Sequence, residues 1–331
     1  MPVTLADIAE VTGLSTSTVS RALSVPEKVN AETRERVLRA AAELGYMPNH
    51  TARSLISGHS EMIGLILPDI ANPFFPPIIK TVQNSARRRG LTVLIADADE
   101  QVSDEIRMAR EMRARVDGLI VVSPRTPMEK LHHIAALKPV VFVNRTVPSA
   151  ASVIVDSREG IEQAVDHLAA LGHQVIAYLN GPRRSWSNAR RLEAIREACA
   201  DRGLELLELG PFEPQIQAGV RAADLTLATA ATAVVAYDDL IALGFMTRLN
   251  ERGLSAGRDI SVIGVDGSPM WGMAYPSLTS IHVPGAEAGR VAVDLLLDLI
   301  HSQEGEPAPT VQLDSHLVVR NSTGVMRPRN S

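Results

Sequence analysis

Residues 4–23 read Thr-Leu-Ala-Asp-Ile-Ala-Glu-Val-Thr-Gly-Leu-Ser-Thr-Ser-Thr-Val-Ser-Arg-Ala-Leu. This spacing predicts two short helices joined by a tight turn. Thr4 stands at a capping position, with Asp7 three residues on in a capping-box arrangement. Leu5, Ile8 and Ala9 fall at helical spacing and make one apolar face. Gly13 supplies the backbone freedom that a sharp helix exit needs. Ser15 then caps a second helix in which Val19, Ala22 and Leu23 turn inward, leaving Thr16, Ser17, Ser20 and Arg21 outward. A small helix with short hydroxyls and one guanidinium suits the DNA major groove. The hydroxyls bond bases or phosphates, and Arg bonds guanine with two hydrogen bonds. The bland alternative is an amphipathic hairpin with a solvated face. Cap, turn, second cap and polar face all agree on the more specific reading.

A third helix fits 31–44, capped by Asn30, with Val37, Leu38, Ala41 and Leu44 on its buried side and Gly45 closing it. Asn49-His50-Thr51-Ala52-Arg53-Ser54-Leu55-Ile56 follows. It is too short to hold helical structure alone and needs a partner. From Met62 the pattern changes to apolar strand runs alternating with helical stretches. The first series has strands near 62–67, 91–96, 119–122 and 140–143, with helices running to 89, over 104–115 and near 128–136. A second series begins near Ser152, with strands at 152–155, 175–179, 204–209, 233–236 and 260–265 and helices near 160–171, 188–202, 216–228 and 240–252. Such alternation predicts parallel, doubly wound sheets. Two series predict two α/β lobes with a ligand cleft at the carboxyl ends of their strands.

Bulk composition narrows the classes. The 331 residues are 45% hydrophobic and 21% charged, which is globular. The net charge of −5 does not announce nucleic acid. In the first 60 residues Arg21, Lys28, Arg34, Arg36, Arg39 and Arg53 are matched by Asp7, Glu10, Glu27, Glu32, Glu35 and Glu43. DNA affinity must therefore come from the placement of positive groups and from pairing two chains. Cys199 is the only cysteine, which excludes an internal disulfide and a cysteine zinc site. No signal segment and no membrane-length apolar run stands out, so a cytoplasmic protein is expected. There is no G-x-S-x-G elbow, Walker loop or G-x-G-x-x-G, so neither catalysis, a cofactor nor a metal is expected.

The chain resembles the LacI-type (LacI/GalR) bacterial transcription regulators over essentially its whole length. Beyond residues 4–23, the match runs through T-R-E-R-V at 33–37, A-E-L-G-Y-M-P-N at 42–49, A-N-P-F-F at 71–75 and H-L-A-A-L-G-H at 167–173. It continues through Asn180-Gly181-Pro182, Y-D-D-L-I-A-L-G at 237–244, D-I-S-V-I-G-V-D at 259–266, P-S-L-T-S-I at 276–281 and L-V-V-R at 317–320. The resemblance implies a helix-turn-helix domain over 1–48, a hinge helix and linker over 49–60, and an effector-binding, dimerising core over 61–331. That core would resemble periplasmic sugar-binding proteins, with one lobe about 61–151 plus 283–313, the other about 152–282 plus 314–325, and three crossings between them. It further implies a homodimeric repressor on a near-palindromic operator, with affinity set by a small effector such as a sugar or related polyol. Thr4, Ser15, Thr16, Ser17, Ser20, Arg21, Asn49, His50, Arg53 and Leu55 would contact DNA. Leu55 would be the apolar wedge that enters the minor groove. A solute-binding protein without a regulatory role is the alternative, disfavoured by the fused helix-turn-helix.

For the effector the resemblance points to Phe74 and Phe75, just after the first strand, where the family sets an aromatic against its ligand; core packing is the other reading. Asn144 follows the strand at 140–143, where many relatives carry Asp. Ser187 and Arg191 open a helix, and Arg191 aligns with the arginine that relatives aim at the ligand, with Arg190 as its rival. Phe212 resembles a pocket aromatic of purine-type relatives. Asp266 ends the strand at 260–265, where a carboxylate accepts two hydroxyl hydrogen bonds from a polyol. Two departures stand out: Asp238 replaces a commoner Asn, and Gly267 replaces a common Asp. Asp238 with Asp266 favours a polyhydroxylated or cationic ligand over an anion unless the arginines balance them. Trp271, in a loop beyond, is a further candidate for the cleft wall.

Overall fold

In the N-terminal unit three helices close on a small core. The computed structural model describes residues 3–24, 28–46, 59–137, 139–301 and 308–327, and they divide into two units at Glu61 and Met62. Helix α1 is Leu5–Thr12, α2 is Thr16–Ser24 and α3 is Ala31–Leu44. Each starts on a local cap. The Thr4 N–H and Oγ1 both donate to Asp7 Oδ2, at 2.7 and 2.8 Å. Ser15 Oγ accepts the Thr18 N–H at 3.2 Å, and Asn30 Oδ1 accepts the Thr33 N–H at 2.8 Å. Gly13 leaves α1 at φ 64°, the left-handed conformation that glycine adopts without cost. Ile8, Val19 and Val37 are fully buried where the helices meet, among Ala9, Ala22, Ala40 and Ala41. Each fully buried branched side chain contributes about 1.5–3 kcal/mol. Leu38 is not on the buried side; it is 46% exposed. The inward stripe runs through Val37, Ala40, Ala41 and Leu44, and a residue beside such a stripe is rotated about 100° away from it.

The second unit holds two six-stranded sheets. The first orders its strands β11-β5-β4-β3-β1-β2, with β1 Met62–Leu67, β2 Thr92–Asp97, β3 Gly118–Val122, β4 Val140–Val143, β5 Ala151–Asp156 and β11 Thr310–Asp314. All its pairings are parallel. The second orders β12-β10-β9-β8-β6-β7, with β6 Val175–Leu179, β7 Glu205–Leu209, β8 Ala233–Ala236, β9 Ser261–Asp266, β10 Thr279–His282 and β12 His316–Val318. Only β12 runs antiparallel, against β10.

The helices joining the strands cover both faces of each sheet. Around the first lie α4 Phe75–Arg87, α5 Val102–Met112, α6 Met128–Ala135 and α11 Gly285–His301; around the second lie α7 Arg158–Ala170, α8 Trp186–Asp201, α9 Ile216–Leu227 and α10 Asp239–Glu251. Strand alternation assigns the faces. Ile176 and Tyr178 pack toward α7 and α8, whereas Ala177 and Leu179 pack toward α9 and α10. Helices α9 and α10 touch backbone to backbone: a Cβ on Gly244 would lie 1.9 Å from the Ile216 carbonyl oxygen, so only glycine fits. No helix among the described residues is long and apolar enough to cross a membrane.

One strand changes lobes relative to the sequence reading. The run at 152–155 was expected to begin the second lobe; as β5 it pairs with β4 and β11 in the first sheet. Apolar patterning marks a strand but not its neighbours, which are set by pairings distant in sequence. The first crossing therefore lies between Asp156 and Arg158, and the others lie between β10 and α11 and between β11 and β12. Those late elements, β10, β11, β12 and α11, have no counterpart among the expected strands and helices.

Candidate DNA-reading surface and candidate effector cleft

On α2 the polar face is turned to solvent. Thr16, Ser17 and Arg21 are exposed, and Ser20 is half-buried. Arg21 lies along its own helix, donating from Nε to the Ser17 carbonyl at 3.1 Å and from Nη2 to Ser17 Oγ at 3.4 Å. Ser15 Oγ lies 2.9 Å from Ser17 Oγ and 2.8 Å from Thr18 Oγ1. These are weak, solvent-exposed bonds that a phosphate or base can replace. Thr4 and Ser15 are the caps of α1 and α2, so both expected DNA contacts also set helix starts. Asn49, His50, Arg53 and Leu55 lie outside the described residues.

In the second unit the carboxyl ends of strands from both lobes converge on one cavity with an empty volume of about 350 Å³, open solvent at its mouth included. The first lobe contributes Asn72, Phe74, Phe75, Ser123, Arg125 and Asn144. The second contributes Ser187, Arg191, Pro214, Tyr237, Asp238 and Asp266. Phe74 and Phe75 meet edge to face, with ring centroids 5.1 Å apart. Phe75 is also 4% exposed and packs into the first lobe's core, so its two readings coincide. Asn144, immediately after β4, and Asp266, the last residue of β9, stand at φ 54° and 118°, a backbone cost that concentrates at functional sites. Asn144 Oδ1 accepts the Val155 N–H at 3.1 Å.

Arg191 is the pivot of the second wall. Its Nη1 donates to the Tyr237 carbonyl at 2.6 Å, its Nε to Ser157 Oγ at 3.4 Å, and its Nη2 lies 3.7 Å from Asp266 Oδ1. Its guanidinium stands 5.0 Å from the Tyr237 ring centroid. The rival Arg190, one step round the helix, forms a solvent-exposed pair with Glu193. On the facing wall Arg125 is held by both oxygens of Glu100, through Nε and Nη2, and by the Ser123 carbonyl.

Three carboxyl groups lie together here, Asp238 and Asp266 in the cavity wall and Asp239 beside them. Asp238 caps α10, its Oδ1 accepting the Ile241 N–H at 2.8 Å. Its Oδ2 is buried without a hydrogen-bond partner among the described residues, although the Asn72 amide faces it across the cleft. Asp239 accepts from Ser280 Oγ at 2.6 Å and from the Gly267 N–H at 3.0 Å. Burial pushes Asp238 up to about 6, against the Ile241 N–H and then the Arg191 charge. Burial pushes Asp239 up to about 7, against the Ser280 hydroxyl. Asp266 is also raised by burial, against Arg191.

The cavity thus gathers Phe74, Phe75, Asn144, Ser187, Arg191, Asp238 and Asp266. It does not gather Phe212, which is 6% exposed and packs in the second lobe's core. Pro214, two residues on, takes the wall instead. Trp271 likewise packs against that core and is not among the lining residues. Asn72, Ser123, Arg125 and Tyr237 were missed. Ser123 and Tyr237 immediately follow β3 and β8, so the strand-end rule could have found them. Arg125 has no local signal, because its partner Glu100 lies 25 residues away.

A surface-facing helix-turn-helix and a two-lobed ligand cleft define a DNA-binding regulator. Residues 4–49 match the model of the "Bacterial regulatory proteins, lacI family" and residues 165–323 that of the "Periplasmic binding protein-like domain". The ribose operon repressor of Halalkalibacterium halodurans is 31% identical over 328 residues, 97% of each chain. The HTH-type transcriptional repressor CytR of Escherichia coli K12 is 32% identical over 330 residues, 97% of this chain and 96% of that one. The fold superposes on a lac repressor dimer bound to operator and an anti-inducer with a TM-score of 0.87 and 30% identity, covering 98% and 99% of the two chains. A LacI family regulator from Enterococcus faecium with bound ribose gives a TM-score of 0.72 at 28% identity, over 80% of this chain and 100% of that one. The chain belongs to the lacI family of bacterial regulatory proteins and acts as a transcriptional regulator, not an enzyme.

Proposed function

We propose that this protein is a cytoplasmic repressor that binds a near-palindromic operator as a homodimer, its affinity set by a sugar or related polyol held between the two core lobes. Thr16, Ser17, Ser20 and Arg21 read the operator from α2, while Thr4 and Ser15 position α1 and α2 on it. The observation that carries the effector reading is the cavity itself: two lobes send six residues each into it, with aromatic faces on one side and carboxylates on the other. Aromatic rings and paired carboxylates suit the apolar faces and hydroxyls of a sugar. The operator-bound lac repressor dimer and the ribose-bound relative support both halves of the reading. Asn72 faces Asp238 from the opposite lobe, so a ligand touching both favours the closed arrangement. Only such unequal binding to two arrangements shifts operator affinity. The test is a salt-dependent gel shift on palindromic operators with and without ribose, other sugars and nucleosides. Operator binding that no ligand of the panel alters would overturn the effector half of the proposal.

A further inference from the structure

The charges around the cleft do not cancel. Asp238 and Asp266 line it, and Arg191 is the cation that faces them. Arg125 also lines it, but Glu100 already holds it with both oxygens. Behind them Asp239 is satisfied by Ser280, Gly267 and Ser268, and adds its field to the same side. Among the described lining residues, an anionic ligand would meet two carboxyl groups and two guanidiniums already engaged, Arg125 by Glu100 and Arg191 by Tyr237, Ser157 and Asp266.

Asp238 is also fixed in direction. It is 2% exposed, and the Ile241 N–H pins its Oδ1, so Oδ2 cannot swing to another partner without uncapping α10. That oxygen is buried in the wall of the cavity and has no partner within hydrogen-bond distance among the described residues, the Asn72 amide facing it from the other lobe. A buried polar atom left without a partner is costly, and a buried charge more so. Asn at this position would present an N–H2 group to a ligand acceptor; Asp presents an acceptor and a negative charge to a ligand donor.

We infer that the effector of this protein carries a protonated nitrogen, as in an amino- or imino-substituted polyol, seated on Oδ2 of Asp238. This rests on the cleft being the effector site, as proposed above. A cationic nitrogen fills the empty acceptor and balances the second carboxylate, while hydroxyls engage Asp266 and Arg191. Asp238, rather than the aromatic wall, then decides between aminated and neutral ligands.

Titration calorimetry on the full chain tests this with matched pairs: glucosamine against glucose, and the pyrrolidine imino-ribitol against ribose, with ribose phosphate as the anion. The amine of at least one pair should bind about tenfold more tightly than its neutral partner. Asp238→Asn keeps the shape and the Oδ1 cap, and should erase that ratio by weakening the amine and favouring the neutral sugar. Amine binding to the original protein should also release protons near pH 6, detected by repeating the titration in buffers of different ionisation enthalpy. Neutral sugars that bind as tightly as their amines in both pairs, or a ratio that survives Asp238→Asn, overturn the inference and leave the sugar-effector reading intact. Preferential binding of ribose phosphate, or binding of none of these compounds, overturns it as well; only if the gel-shift panel also fails does the effector reading fall with it.

Discussion

The recognition helix and the cleft use similar groups, hydroxyls and a guanidinium, under opposite conditions. Arg21 is exposed, and its bonds go to Ser17, four residues back. Arg191 is 5% exposed and bonds the Tyr237 carbonyl, 46 residues on. Arg21 gives up little when it moves to a new partner, because water and its own helix hold it weakly. Arg191 is held in advance, and the carboxylate beside it depends on its charge. The DNA-reading surface is therefore adaptable and tolerant of change, while the cleft is pre-formed and sensitive.

The largest expected effect breaks that contrast at its buried end. Arg191→Ala leaves Asp266 and Asp238 without their cation. We expect a loss of about 3 kcal/mol or more in the stability of the second unit, measured by urea unfolding, with ligand binding abolished. A loss no larger than that of Arg190→Ala would mean that burial does not distinguish the two arginines. At the exposed end, Arg21→Ala should cost about 1–3 kcal/mol in specific operator binding and under about 0.5 kcal/mol in folding. Competition gel shifts with specific and non-specific duplexes separate these, and equal weakening on both duplexes would assign Arg21 to phosphate alone.

A smaller effect sharpens the local side of the comparison. Asn30→Ala removes the α3 cap and should destabilise the N-terminal unit by about 1 kcal/mol, seen as a lower melting midpoint of the isolated helical signal, with the cleft's ligand affinity unchanged. The last concerns protons. The native core holds protons on Asp238 and Asp239 between 3.8, the ordinary value, and about 6 and 7. The unfolded chain releases them over that range. Their contribution to stability is thus present at low pH and lost as pH rises from about 4 to about 7. The ligand-free melting temperature should fall less steeply over this window in Asp238→Asn than in the original protein. Parallel slopes would show that Asp238 is charged in the native state throughout.

Legibility followed the range of the interactions. The three helices of the N-terminal unit were read with their caps, because Thr4–Asp7, Ser15–Thr18 and Asn30–Thr33 are each three residues apart. Leu38 escaped because a neighbour of the apolar stripe looks much like a member of it. In the core, strand alternation was plain, yet β5 was given to the wrong lobe. Phe212 and Trp271 were drawn toward the cleft by their chemistry, but both pack against the second lobe's core.

By itself, then, the chain determined every feature written in short-range contacts: caps at fixed spacing, the polar face of α2, the alternation of strand and helix, and the strand ends where a cleft must open. Its motifs also carried the family. Only the tertiary structure decided which sheet β5 joins, that Glu100 neutralises Arg125, that Pro214 and not Phe212 meets the cavity, and that one oxygen of Asp238 is left open there. Each of these depends on groups brought together from distant parts of the chain. A rotation of about 100° about a helix axis, or one different strand partner, would reverse it without altering any local pattern.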